Sequence, residues 1–424
     1  MADSAKIGVV GLGYVGLPLV ILAGVRGCYV CGIDQDEGRI ANLIEGKSYI
    51  SDIPDKDVQL LLDNGLLRAS TDYSELSSCD VIVVCVPTPL TDDKKPDYTY
   101  LLSAARNIAA VLHPGQLVII ESTVAPGTTA TEILPLLETN GLTAGKDFHL
   151  SYSPERIDPG NKQYRLNNIP KLVAGLTPAC QALALLFYKV LGLATVPVRT
   201  IETAEMAKLL ENTYRDVNIA LVNEMAIVCH RNALNIWEVI YAASTKPFGF
   251  QPFYPGPGVG GHCVPVDSVY YAFWARESGI PAELAEHARR VNSYMPHYIT
   301  EMVRDALAAE GKALFESKIL VLGVSYKKDV GDMRESSAIK LIEILEAEGA
   351  EVNYHDPFIE NIQIKQTDKY RVTLNERIIS SYDCVILAVA HSYYNPAWLN
   401  SLSTVIVDLT NTLTEIPDKK LNRL

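Results

Sequence analysis

No apolar run in the sequence is long enough to cross a membrane, and Met1-Ala2-Asp3-Ser4-Ala5-Lys6 lacks a signal-peptide pattern. The expectation is a cytoplasmic protein without membrane contact. Positive charge is also in deficit: the formal net charge is −13. This argues against a broad nucleic-acid surface, though a compact, locally positive phosphate pocket is still allowed. Cysteine is thinly spread, with eight in 424 residues: Cys28, Cys31, Cys79, Cys85, Cys180, Cys229, Cys263 and Cys384. Such scatter in a large chain is not a disulfide framework. Cys28 and Cys31 form a lone Cys-x-x-Cys with no second pair, at the entry to a strand. Strand packing explains them better than zinc or redox chemistry, and no metal is expected.

What is present describes a soluble globular protein, 48% hydrophobic and long enough for two or three domains. Lys6-Ile7-Gly8-Val9-Val10 reads as a strand buried on both faces. Gly11-Leu12-Gly13-Tyr14-Val15-Gly16 follows, then an apolar helix from Leu17 to Val25 that ends at Gly27. Tyr29–Ile33 forms the next strand, with Asp34 at its end. This is the βαβ setting that Gly-x-Gly-x-x-Gly needs to bring a pyrophosphate to a helix N-terminus. Asp34 would accept hydrogen bonds from the adenosine ribose and repel a 2′-phosphate, which favours NAD over NADP. Arg39 is placed to lie along the adenine.

Strands then run into loops at Pro87-Thr88-Pro89, Ser122-Thr123-Val124 and Pro154-Glu155-Arg156. In open α/β sheets ligands sit at this edge, so Thr88, Thr123 and Glu155 should face one crevice. From Glu202 to about Ala233 the pattern is one long helix, on which Lys208 and Asn212 share a face. Leu209, Leu210, Ala220, Leu221 and Val222 suggest that this helix is substantially buried, and helices of this kind commonly also form a dimer contact.

The chain is organised around Gly256-Pro257-Gly258-Val259-Gly260-Gly261-His262-Cys263-Val264-Pro265-Val266-Asp267. Glycines let a backbone approach a ligand and offer amides to an oxyanion. Cys263 is a candidate nucleophile there; the competing reading is a flexible turn before a buried thiol. Phe253 and Tyr254, just upstream, either stack on a base or belong to the core. The third section echoes the first. Lys318–Gly323 matches Lys6–Gly11, and Asp383–Val389 matches Asp80–Val86. Its glycine fingerprint is replaced by Gly323-Val324-Ser325-Tyr326-Lys327-Lys328. This half should bind a different nucleotide, with Lys327 available for phosphate unless it is simply solvated.

Jointly these segments, with Ala207–Thr213 and Arg334-Glu335-Ser336-Ser337, resemble the UDP-glucose/GDP-mannose dehydrogenase family over nearly the whole chain. The Gly-Gly-His-Cys-x-Pro-Val-Asp form, with Phe253–Gly256 before it and Ile157-Asp158-Pro159-Gly160-Asn161 after Arg156, is similar to the branch that oxidises UDP-N-acetylhexosamines. The resemblance implies an α/β protein with two Rossmann-like doubly wound domains joined by a long central helix and a helical middle domain. The boundaries expected are 1–201 for NAD, 202–300 for the centre and 301–424 for the UDP-sugar. It implies NAD-dependent four-electron oxidation of a sugar C6 alcohol to a carboxylate, with UDP-N-acetylglucosamine as the first substrate, in polysaccharide biosynthesis. Cys263 would carry a thiohemiacetal and then a thioester. Lys208 with Asn212 would stabilise alkoxide and oxyanion, or Lys208 would act as the first base. Asp267, Glu155 and Thr123 would activate or position water. NAD contacts would come from Gly11, Gly13, Tyr14, Val15, Gly16, Asp34, Arg39, Thr88, Thr123 and Arg334. The substrate would meet Glu155, Arg156, Lys208, Asn212, Phe253, Tyr254, Gly256, Gly260 and Lys327. A homodimer or higher homo-oligomer is expected. Departures are Thr410 where relatives often carry Arg, and Ser268-Val269 in place of Pro-Tyr. Alternatives are UDP-glucose as substrate, a two-electron 3-hydroxyacid-type dehydrogenase, which needs neither Cys263 nor a second Rossmann-like half, and a non-catalytic dinucleotide sensor.

Overall fold

The computed structural model describes residues 5–50, 52–158, 160–161, 163–261, 263–402, 404–413 and 421–424. The initial Met1–Ser4 and the motif residues Pro159 and His262 lie outside the described residues. Two compact units are formed, Met1–Glu211 with Val269–Ile280, and Asn212–Ser268 with Pro281–Leu424.

The first unit is built on an eight-stranded sheet in the order β3-β2-β1-β4-β5-β6-β7-β8. Its strands are β1 (Lys6–Val10), β2 (Tyr29–Ile33), β3 (Leu67–Ser70), β4 (Val81–Val84), β5 (Leu117–Ile120), β6 (His149–Tyr152), β7 (Lys171–Gly175) and β8 (Thr195–Pro197). Pairing is parallel except between β6 and β7. Buried side chains cover both faces of the sheet, which is why β1, β4 and β5 read as continuous apolar runs and do not alternate. β1 lies between β2 and β4, so the strand order reverses there and a crevice opens beyond the strands' C-terminal ends. The helix Gly16–Val25 is apolar nearly all round, buries Leu17, Leu19, Val20 and Ala23, and stops at Gly27, whose φ of +83° suits glycine.

The second unit carries a five-stranded, fully parallel sheet in the order β10-β9-β13-β14-β15. These are β9 (Lys318–Leu322), β10 (Glu351–His355), β13 (Cys384–Leu387), β14 (Val405–Asp408) and β15 (Leu421–Arg423). An antiparallel hairpin of β11 (Asn361–Ile364) and β12 (Thr367–Tyr370) stands beside it. β9 between β10 and β13 reproduces the switch point of the first unit, so the internal echo in the sequence is a structural repeat.

The long helix runs Ile201–Arg231. Leu209, Ala220 and Val222 are buried on it as expected, but Leu210 and Leu221 are 62% and 50% exposed. The apolar pattern is therefore wider than the buried face. Tyr214, Met225 and Val228 extend the exposed stripe along the same helix. Among the described residues no helix is long and apolar enough to cross a membrane.

Candidate active site

The glycine fingerprint forms the turn between β1 and the helix Gly16–Val25. At Gly16 an added Cβ would lie 1.8 Å from the Gly11 carbonyl oxygen, so only glycine lets the helix start this close to the strand. At Gly13 an added Cβ would meet nothing within 4 Å, which leaves the backbone open on the side a pyrophosphate would approach. Asp34 follows β2 and accepts from the Leu12 N–H at 2.8 Å, the Asp36 N–H at 3.0 Å and Arg39 Nη1 at 3.2 Å. A cavity of about 450 Å³ is lined by Gly13, Tyr14, Asp36, Gly38, Arg39, Asn42, Tyr49 and Ile50. Tyr49, which the sequence reasoning missed, closes it: its hydroxyl donates to the Leu12 carbonyl at 2.6 Å and its ring lies under Arg39. These residues fit a dinucleotide. The turn leaves room for a pyrophosphate and the cavity offers a carboxylate, a guanidinium and an aromatic ring.

Thr88 and Thr123 stand on adjacent strand ends, and the Thr88 hydroxyl donates to the Thr123 carbonyl at 2.8 Å. Glu155 follows β6 and is almost wholly buried. One carboxylate oxygen accepts from the Arg156 and Ile157 N–H groups at 2.6 and 2.7 Å; the other meets Lys171 Nζ at 3.1 Å. Burial alone would push the Glu155 carboxyl up, but Lys171, the backbone donor and Lys208 outweigh it and hold it below the ordinary range. The Arg156 guanidinium is spent on Glu211, at 2.6 and 3.2 Å, and on the Pro170 carbonyl at 2.8 Å. Lys171 opens the short apolar run of β7, and nothing local in the sequence signals a partner.

Lys208 and Asn212 lie one turn apart on the long helix and both are buried. In the second unit Asn212 donates to the buried Asp267 carboxylate at 2.5 Å. Asp267 sits in the first turn of the helix Val264–Glu277, and its N–H donates to the Cys263 carbonyl at 2.9 Å. Cys263 thus occupies the N-cap position, where a negative sulfur would face the positive end of the helix. It is the exposed thiol of the eight; Cys229 is half-buried and the other six are buried. The competing reading of a buried thiol does not hold, because Cys263 is exposed.

The loop is held at Gly256 and Gly261 and crowded at Gly260. The Gly256 N–H donates to Asn223 at 3.0 Å, Asn223 to Asn292 at 2.9 Å, and Asn292 to the buried Asp216 carboxylate at 2.8 Å. The Gly261 N–H donates to the Arg334 carbonyl at 3.0 Å. A Cβ on Gly260 would strike the Glu335 carbonyl oxygen and Tyr326 Cβ, each at 2.9 Å. Phe253 packs edge-on against Tyr214, and Tyr254 stacks on Trp237. Asn223 and Asn292 were not legible as site residues, since each sits in an otherwise ordinary helical stretch.

In the second sheet Asp356 takes the place of Asp34. Its carboxylate accepts from the Val324, Ser325 and Phe358 N–H groups at 2.8, 3.0 and 2.8 Å, and His391 Nε2 lies 3.0 Å away. That carboxylate is wholly buried, where Asp34 is partly exposed, so it is closed to a ribose. Lys327 is half-buried beside Ser325, whose hydroxyl donates to its carbonyl at 3.1 Å. The Arg334 guanidinium forks onto Asp332 at 2.6 and 3.0 Å. Thr410 donates to Asp408 at 2.8 Å and closes β14, and Ser268 donates back to the Val264 carbonyl at 3.2 Å, so neither departure disturbs its element.

Residues 5–192 match the NAD binding domain of the UDP-glucose/GDP-mannose dehydrogenase family, residues 202–294 its central domain and residues 320–415 its UDP binding domain. The chain is 36% identical to the UDP-N-acetyl-D-glucosamine 6-dehydrogenase of Pseudomonas aeruginosa, over 97% of each chain. It is 35% identical to the UDP-N-acetyl-D-mannosamine dehydrogenase of Escherichia coli K12, over 92% of this chain and 94% of that one. It superposes on the UDP-D-ManNAc dehydrogenase of Pyrococcus horikoshii with a TM-score of 0.89 at 33% identity, over 99% of this chain and 98% of that one. The chain belongs to the UDP-glucose/GDP-mannose dehydrogenase family, the NAD-dependent oxidoreductases of nucleotide sugars.

Proposed function

We propose that this enzyme oxidises the C6 alcohol of a UDP-N-acetylhexosamine, UDP-N-acetylglucosamine foremost, to the uronate. The observation that carries the reading is the open thiol of Cys263 at a helix N-terminus, with the buried Asn212–Asp267 pair one turn on. NAD⁺, when bound, accepts a hydride in each of two oxidations. The Cys263 sulfur adds to the C6 aldehyde and forms a C–S bond, so the reactive aldehyde stays covalently held. Oxidation at that carbon leaves a thioester, which water cleaves to the carboxylate and the free thiol. Per alcohol, two NAD⁺ and one water give a carboxylate, two NADH and three protons. Lys208 and Asn212 stabilise the oxygen that becomes negative, or Lys208 acts as the first base. Glu155, ionised, activates water; Thr123 and Asp267 position it. The Phe253–Gly260 segment with Lys327 holds the nucleotide sugar, joined by Arg156 once it leaves Glu211, and Arg334 meets the NAD pyrophosphate once it leaves Asp332.

We assign residues 1–201 to NAD, 202–300 to the centre and 301–424 to the UDP-sugar. The reading extends to a cytoplasmic homodimer or higher homo-oligomer. The exposed apolar stripe of Leu210, Tyr214, Leu221, Met225 and Val228 on the long helix supports the dimer. The experiment is a substrate panel of UDP-N-acetylglucosamine, its C2 and C4 epimers, and UDP-glucose, read as kcat/KM. Preference for an N-acetylated sugar supports the proposal; preference for UDP-glucose overturns it.

A further inference from the structure

We propose that Lys171 is a positioning residue for Glu155: it holds that carboxylate ionised and aimed, in competition with a second carboxylate, Glu121. The proposal rests on the role given above to Glu155 in activating water. Lys171 opens β7 and is 2% exposed, so its charge needs partners inside the protein. Its Nζ lies 3.1 Å from Glu155 and 3.0 Å from Glu121. It also lies 3.4 Å from the Pro154 carbonyl and over the Tyr188 ring. Glu121, at the end of β5, is as buried as the lysine. Its Oε1 accepts from the Tyr188 hydroxyl at 2.6 Å, and Cys85 Sγ stands 4.0 Å from Oε2, the oxygen that meets Lys171.

One ammonium therefore serves two carboxylates. The groups facing this cluster are Glu121, Glu155, Tyr188, Cys85 and Lys208. The two acids are not treated alike. Glu155 has backbone N–H donors on its other oxygen and Lys208 nearby, and stays ionised. Glu121 has only a phenol there; burial, with Glu155 as a like-charged neighbour, raises it despite Lys171. A general base must be ionised to act, so the partner that keeps Glu155 charged governs the acid side of the rate profile. Salt-bridge packing alone would make every disruption of the cluster look the same. Positioning makes the Lys171 and Glu121 variants move in opposite directions.

The test is the pH dependence of kcat with UDP-N-acetylglucosamine and saturating NAD for Lys171→Met, Lys171→Arg, Glu121→Gln and Glu155→Gln. Lys171→Met should move the acid limb up by about one pH unit or more, a tenfold loss of ionised base at a fixed pH on that limb. Lys171→Arg should restore the limb. Glu121→Gln keeps the acceptor for Tyr188 and frees the ammonium for Glu155, so its limb should move down. An acid limb for Lys171→Met that coincides with the unmodified enzyme, or a Glu121→Gln limb that moves up, overturns the proposal. If Lys171→Met does not fold, the Glu121→Gln and Lys171→Arg profiles decide alone. Unimpaired turnover by Glu155→Gln would instead remove the role of Glu155 in activating water.

Discussion

Replacing Asp34 with alanine tests the cofactor half through one side chain. The carboxylate accepts the Leu12 and Asp36 N–H groups and Arg39 Nη1, at 2.8, 3.0 and 3.2 Å. It is 10% exposed and belongs to the loop that would meet the adenosine ribose. A hydrogen bond from a ribose hydroxyl to a carboxylate is worth about 1.5–3 kcal/mol. At about 1.4 kcal/mol per factor of ten, its loss should weaken NAD by roughly 10- to 150-fold. Discrimination should fall further, because the same substitution removes the charge that repels a 2′-phosphate and releases Arg39 to meet it. NADP should therefore become a substrate as NAD weakens, and Asp34→Ala with Arg39→Ala should cancel the gain for NADP. The Leu12 N–H also loses its acceptor, and for such a part-buried donor a loss of about 1–3 kcal/mol in stability should accompany the kinetic change. The assay is KM and kcat for NAD and NADP, with a thermal melt of each variant. Unchanged KM for NAD, or continued exclusion of NADP, would refute the reasoning about Asp34.

Gly16→Ala should abolish NAD binding and lower the melting temperature, because its Cβ cannot be placed 1.8 Å from the Gly11 oxygen without moving the helix; cofactor titration and a melt check this. Asn212→Ala removes the amide that bonds Asp267 and should lower kcat by roughly 10²–10³-fold, the scale for losing one oxyanion donor, measured by steady-state kinetics. Leu221→Glu on the exposed stripe should turn a dimer into monomers in sedimentation without disturbing the fold of either unit. Burial, then Arg371, presses the His355 imidazole down to about 4 from the usual 6.5. The unfolded chain then binds the extra proton first, so stability is lost as pH falls from about 6.5 toward 4, at about 1.4 kcal/mol per unit, and His355→Gln should flatten that part of the curve in chemical denaturation.

The parts legible in the sequence were those whose chemistry is local. Gly11–Gly16 with Asp34 announces a βαβ turn because strand, glycines, helix and acid are contiguous, and Lys318–Gly323 with Asp383–Val389 announces its repeat by echoing two strands, although the glycine fingerprint is gone. Cys263 and Asp267 were legible because a glycine-rich loop, a thiol and an acid fall within one short segment. What was not legible depends on partners far apart in the chain. Lys171, on β7, is separated in sequence from Glu121, at the end of β5, by the whole of β6, and its own run is otherwise ordinary core. Tyr49 sits in a loop that only the fold brings beneath Arg39. Asn223 and Asn292 become a support for Gly256 only when two distant helices meet. The apolar residues of the long helix misled for another reason: periodicity marks an apolar face, and cannot say whether that face is covered by the chain itself.

The most direct measurement is a count of NADH formed per UDP-N-acetylglucosamine consumed, made side by side with Cys263→Ala. Two NADH and one uronate are expected for the unmodified enzyme. For Cys263→Ala, uronate formation should fall by several orders of magnitude, the scale for removing a covalent nucleophile. Single replacement of any of the other cysteines, none of them exposed, should leave the count at two. One NADH per substrate, or near-normal uronate production by Cys263→Ala, would contradict the covalent four-electron reaction proposed for this site.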